Sequence, residues 1–155
     1  MKNARLSLAR EIVSGIGLPI QADQNLLCPI SKMELRLRDF ASGGGQSVVH
    51  GDLHEQQFLV QNRQLIALLD FNESFIGRYE WDFGSYLYFH GELSLIDLLS
   101  TYYSTANEIR NAKANAWLAA ILIALHHGNR AKVLNRPLRL NKSVAVLRVA
   151  VKACE

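Results

Sequence analysis

Between positions 50 and 82 the chain reads HGDLHEQQFLVQNRQLIALLDFNESFIGRYEWD, a stretch that collects carboxylates, amides and histidines around an apolar core. Asp52 and Asp70 stand on either side of an alternating apolar segment, and Glu80 and Asp82 follow soon after. Transfer of a phosphoryl group needs one carboxylate to accept a hydroxyl proton. It also needs further oxygens to hold the magnesium that bridges the phosphates. A loop and a strand end joined by a hairpin can bring such oxygens together.

The spacing sharpens this reading. His50, Asp52 and Leu53 fit H-x-D-L of the loop H-R-D-L-x-x-x-N, with Gln57 at the Asn position. Asp70-Phe71-Asn72 fits D-F-G except at its third place. HGDLH, a short hairpin, LLDF and then G-x-x-EWD together resemble the aminoglycoside phosphotransferase family, which is itself similar to choline and homoserine kinases. Protein kinases place a longer activation loop ending in A-P-E after D-F-G. Here Glu80-Trp81-Asp82 arrives too early for one.

The resemblance implies an ATP-dependent, magnesium-requiring small-molecule kinase that phosphorylates a hydroxyl. It makes Asp52 the catalytic base, Asp70 the principal magnesium ligand with Gln57 beside it, and His50 and Asp82 braces of the loop. Gln57 departs from the usual Asn, as in the maltokinase-like branch; its extra methylene requires a shifted backbone for coordination. His54 stands where many kinases carry a cation, so it is a candidate phosphate contact, with a structural or solvent-exposed role as the equal alternative.

The family's N-terminal lobe contributes a glycine-rich loop and a strand-borne lysine, and neither is found before His50. Gly43-Gly44-Gly45 follows a helical pattern and leads into Val48-Val49, the context of a turn rather than a phosphate cradle. Lys2 and Lys32 lie in no V-A-I-K-like strand. The expectation is that residues 1–155 are a single domain, the C-terminal lobe alone. Such a lobe would have an apolar face near Val48 and Phe58 open to self-association or to a partner.

With 155 residues, 49% hydrophobic and 20% charged, the chain can bury one sizeable core. Cys28 and Cys154 form no C-x-x-C pair, which suits a reduced, cytoplasmic setting. The N-terminal residues lack a secretory apolar stretch, and the most apolar run, 116–125, is too short to span a bilayer. Charge is uneven: from Asp70 to Asp97 six acids, Glu73 and Glu80 among them, face Arg78 alone, whereas from Leu98 onward nine bases face two acids. An acidic block beside the site suits metal ions and a cationic substrate, with Glu73 and Glu80 as candidate contacts; a solvated acidic face is the alternative. The basic C-terminal third interleaves Arg and Lys with aliphatic residues and lacks the aromatic platform of a nucleic-acid binder.

Periodicity predicts helices over 6–13, 32–40, 83–89, 95–103, 109–125 and 144–154, with a loop over 21–30. Short strands are expected at 48–49, 58–60 and 65–69, the last two joined by Asn62-Arg63. Gly91 and Gly128 sit where helices would stop, and 129–140, containing Pro137, reads as a connector. The expected fold is α+β: a mostly helical C-terminal lobe of the protein-kinase-like fold, with a small β-hairpin carrying the catalytic loop. Two rivals stand beside it. One is an inactive kinase-like remnant or interaction module. The other is an iron(II) oxygenase site made by His50, Asp52 and His126 or His127, which leaves Asp70-Phe71 and Glu80-Trp81-Asp82 without a role.

Overall fold

The computed structural model describes residues 32–154 together with Leu26, Pro29 and Ile30. The helix expected over 6–13 lies outside the described residues. Leu26, Pro29 and Ile30, expected in a loop, are helical, and Leu26 and Ile30 are buried in the core.

Helix α1 (Glu34–Ser42) buries Leu37 and Phe40, three residues apart on one face, and ends as the Gly43 N–H donates to Asp39 O. Strand β1 (Ser47–Val49) pairs antiparallel with β4 (Phe75–Gly77), placing Val48 opposite Ile76. Gly45 is more than a flexible turn residue: a Cβ there would lie 2.1 Å from the Gly77 carbonyl oxygen. Strands β2 (Phe58–Gln61) and β3 (Gln64–Leu68) form the expected hairpin. Its turn places Asn62 and Arg63 at φ 51° and 63°, the left-handed pair whose twist matches the strands of a two-residue hairpin. The hairpin is only two strands wide and leaves Leu59, Val60, Leu65 and Ile66 exposed.

The remainder is helical: α2 (Glu80–His90), α3 (Glu92–Tyr102), α4 (Ala106–Val133) and α5 (Pro137–Cys154). Gly91, at φ 86°, ends α2 and leads straight into α3. Thr105 and Glu108 form a capping box at the start of α4, each accepting a backbone N–H of the other. Along α4, Ala116, Ala119, Ala120 and Ala124 are fully buried, and their small side chains let α2 approach closely. A Cβ on Gly84 of α2 would stand 2.3 Å from Ala119 Cβ.

Two further sequence expectations need correction, and one strand was not foreseen. Gly128 does not stop α4 but lies within it, where a Cβ would meet Ser143 Cβ of α5 at 3.3 Å. Pro137 is the first residue of α5, where its missing N–H costs nothing, so the connector shrinks to residues 134–136. Strand β4 had no expectation at all. The fold class itself stands: mostly helical, with two small antiparallel pairs. Among the described residues no helix is long and apolar enough to cross a membrane.

Candidate active site

The loop after β1 is gripped by the first turns of α2. The N–H groups of His50 and Gly51 donate to the two carboxylate oxygens of Asp82, at 2.9 and 2.8 Å. One turn further along, Ser85 Oγ accepts the Leu53 N–H at 2.8 Å and donates to Leu53 O at 3.2 Å. Asp82 and Ser85, three apart on a helix, lie on one face, so a single helix fixes the loop on both sides of Asp52. Gly51, at φ 84°, makes the tight passage that no β-branched residue would tolerate.

His50 is almost fully buried and joins this loop to the end of the hairpin. Its Nε2 bonds Leu69 O at 2.7 Å, and its Nδ1 lies 3.4 Å from the Asp52 N–H. These partners assign the proton to Nε2. Its ring also packs on Phe71, centroid to centroid 4.9 Å. The Leu69 N–H donates to Gln57 O at 2.8 Å. Both ends of the 50–57 loop are therefore bonded to the residue just before Asp70. Asp70 sits in the left-handed region (φ 59°, ψ 66°), which Gly adopts freely and which, among other residues, Asn and Asp visit most readily. Its exposed carboxylate accepts from Asn72 Nδ2 at 2.7 Å.

His54 and Gln57 are linked to each other. His54 Nδ1 accepts the Gln56 N–H at 3.2 Å, which leaves the proton of a neutral ring on Nε2. That nitrogen lies 3.1 Å from the Gln57 amide and 3.8 Å from Asp52 Oδ2. The Gln57 atom at that distance is the amide nitrogen, Nε2, and turning the amide over would give a protonated His54 Nε2 an acceptor. Gln57 is buried, with its amide against the His54 imidazole.

The remaining candidates serve elsewhere. Glu80 is buried between Arg78 (2.8 Å) and Asn115 (3.0 Å). Burial raises its pKa, but the Arg78 bond and the other partners outweigh it and hold the carboxyl below its usual range. Glu73 is exposed in the turn after Asp70. Among the described residues no group of three or more His, Cys, Asp or Glu is disposed to hold a metal. His50 is committed to Leu69 and the loop backbone, and the oxygenase triad is not assembled.

Magnesium does not need an all-protein cage. One or two carboxylates, water and substrate phosphates complete its shell. The exposed Asp70 carboxylate fits that role.

Sequence reasoning missed Ser85, which becomes visible only once α2 is known to start at Glu80. It also missed the packing beyond the loop, where the sequence offers His127 only as a rival iron ligand and Lys142 only as part of the basic C-terminal third. His127 of α4 stacks on Tyr88 of α2 at 5.0 Å and 20°. Burial and the neighbouring His126 push its pKa down to about 4, against the opposing pull of Asp52, in whose field it lies. Lys142 of α5 lies over Phe89 and Tyr88, 4.8 and 5.2 Å from the ring centroids.

A comparison with protein families matches residues 20–133 to the phosphotransferase enzyme family. None of the curated proteins and none of the solved structures matches the chain.

Proposed function

The chain belongs to the phosphotransferase enzyme family, and we propose that its site transfers the γ-phosphoryl group of ATP, or a similar nucleoside triphosphate, to a small-molecule hydroxyl. The observation that carries this reading is the double clamp on the loop. Asp82 holds the His50 and Gly51 amides while His50 holds Leu69. The segments bearing Asp52 and Asp70 are thereby fixed as neighbours, as positioned phosphoryl transfer requires. Asp52, partly exposed at the tip of the loop, takes the hydroxyl proton as the oxygen attacks phosphorus. Asp70 is the carboxylate that would hold magnesium, which when bound neutralises charge on the phosphates. His50 and Asp82 keep Asp52 in place without touching substrate, and His54 orients beside it.

The test is magnesium–nucleotide binding by the full chain, followed by a screen of hydroxyl acceptors. Asp52→Asn should lower turnover by about 10²–10⁴-fold with little effect on metal–nucleotide affinity. Asp70→Asn should weaken that affinity and leave the fold intact, since Asn tolerates the left-handed backbone. Equal activity of both variants and the parent would refute the assignment.

One observation favours a second reading, an interaction module of kinase-like descent. Val48 and Ile76 on the β1–β4 pair, and Leu59, Val60, Leu65 and Ile66 on the hairpin, are all half-exposed or more. Apolar surface of this kind marks a contact face. Concentration-dependent association without nucleotide binding would support this alternative.

A further inference from the structure

The side of Asp52 that faces the helices is basic. His54 Nε2 lies 3.8 Å from Asp52 Oδ2, and the His54 ring packs on Phe89 at 4.9 Å. Lys142 lies against the same Phe89 ring and forms no ion pair with a described carboxylate within salt-bridge distance. Arg130 and Arg139 add their charge around His127, and Lys142 is close enough to Glu55 to help hold that carboxyl below its usual range.

The acids that might have received a cation are otherwise engaged. Glu80 is paired with Arg78 and Asn115, Asp82 with the loop amides, and Glu92 with Lys113 at 2.9 Å. Among the described residues, Asp52 and Glu55, the latter 3.8 Å from His90 Nε2, are the carboxylates beside this basic wall, and Asp70 lies on the far side of the loop's clamp as the proposed magnesium ligand. A polycationic acceptor would meet Lys142 with like charge and find too few carboxylates.

We propose that the acceptor of this site is a hydroxyl compound carrying an oxyanion, a carboxylate or a phosphate ester, and that Lys142 is the specificity residue that receives that anion. This rests on the proposed transfer to a hydroxyl at Asp52. With the anion at Lys142, the body of the molecule lies along Phe89 and the hydroxyl reaches Asp52. His54 and the neutral His127 flank it with ring nitrogens and apolar faces. Lys142 is exposed on α5, so its replacement changes recognition without disturbing the core.

The experiment titrates the full 155-residue chain with glycerate, glycerol 3-phosphate, glycerol and choline, following the ring signals of His54 and His127 by NMR. Glycerate, glycerol 3-phosphate or both should shift these signals and bind about tenfold more tightly than glycerol or choline, and their ratio tells carboxylate from phosphate ester. Lys142→Met should abolish that preference and Lys142→Arg retain it. Tighter binding of choline, equal binding of all four, absence of oxyanion binding, or a Lys142→Met loss confined to magnesium–ATP affinity would overturn the proposal. Oxyanion binding by a chain that fails to bind magnesium–ATP would instead overturn the phosphoryl-transfer reading and leave the anion subsite standing.

Discussion

Asp82→Asn isolates the clamp on the catalytic loop. The carboxylate accepts two backbone N–H groups, at 2.8 and 2.9 Å, one on each oxygen. An amide of the same shape keeps one acceptor and turns a donor toward the other N–H. One charge-assisted bond is lost, the other becomes neutral, and two donors are left facing each other. Bonds to charged groups contribute about 1.5–3 kcal/mol each, and water can reach these part-buried amides, so a loss of about 2–3 kcal/mol is expected. For a chain of this size that corresponds to a fall in Tm of roughly 5–10 °C. Thermal and urea melts would measure it, and the His50 and Gly51 amides should lose protection against hydrogen exchange before the rest of the domain. Turnover should fall by about 10²-fold in an active preparation, because a loop displaced by about 1 Å no longer presents Asp52 in line. An unchanged Tm with both amides still protected would refute the idea that Asp82 holds the loop.

Other perturbations test the frame around the site. Arg63→Gly should raise stability by about 0.5–1 kcal/mol, since the hairpin turn holds Arg63 at φ 63°, where only glycine is unstrained; a urea midpoint that does not rise would count against it. Gly84→Ala should cost about 3 kcal/mol, because the new methyl would sit 2.3 Å from Ala119 Cβ and 2.9 Å from the Ala120 backbone nitrogen; a neutral effect on the melt would mean that α2 and α4 separate easily. His127 titrates near 4 in the fold, burial being the main cause, against an ordinary 6.5. The unfolded chain therefore binds the extra proton between these values. Stability should drop by roughly 3 kcal/mol as pH falls from 6.5 to 4, and His127→Gln should remove that slope from the pH dependence of unfolding.

The reach of the sequence followed the range of the forces involved. HGDLH, LLDF and EWD marked the candidate site because its proposed reacting groups lie on short local segments. The hairpin was legible because apolar alternation on both sides of Asn62-Arg63 is a nearest-neighbour signal. The helices were legible from their apolar periodicity, and Gly91 ends α2 as a lone glycine at a positive φ should.

What remained hidden depends on partners far along the chain. Residues Phe75–Gly77 favour a strand only through Phe75 and Ile76, too short a run to announce one, and are extended because β1 supplies their hydrogen bonds. Gly128 looked like a stop signal, yet in the fold it is the thin place where α5 leans on α4, and that close packing outweighs its poor helix propensity. Gln57 offered an amide oxygen to a metal on paper; in the fold its amide nitrogen is the atom set against His54, 3.1 Å from Nε2. Ser85, Phe89, His127 and Lys142 carry no motif, and only the packing of α2, α4 and α5 gathers them around the loop that bears Asp52. Local chemistry is written in adjacent residues, but the surroundings of a carboxylate are set by whichever helices the core packs beside it.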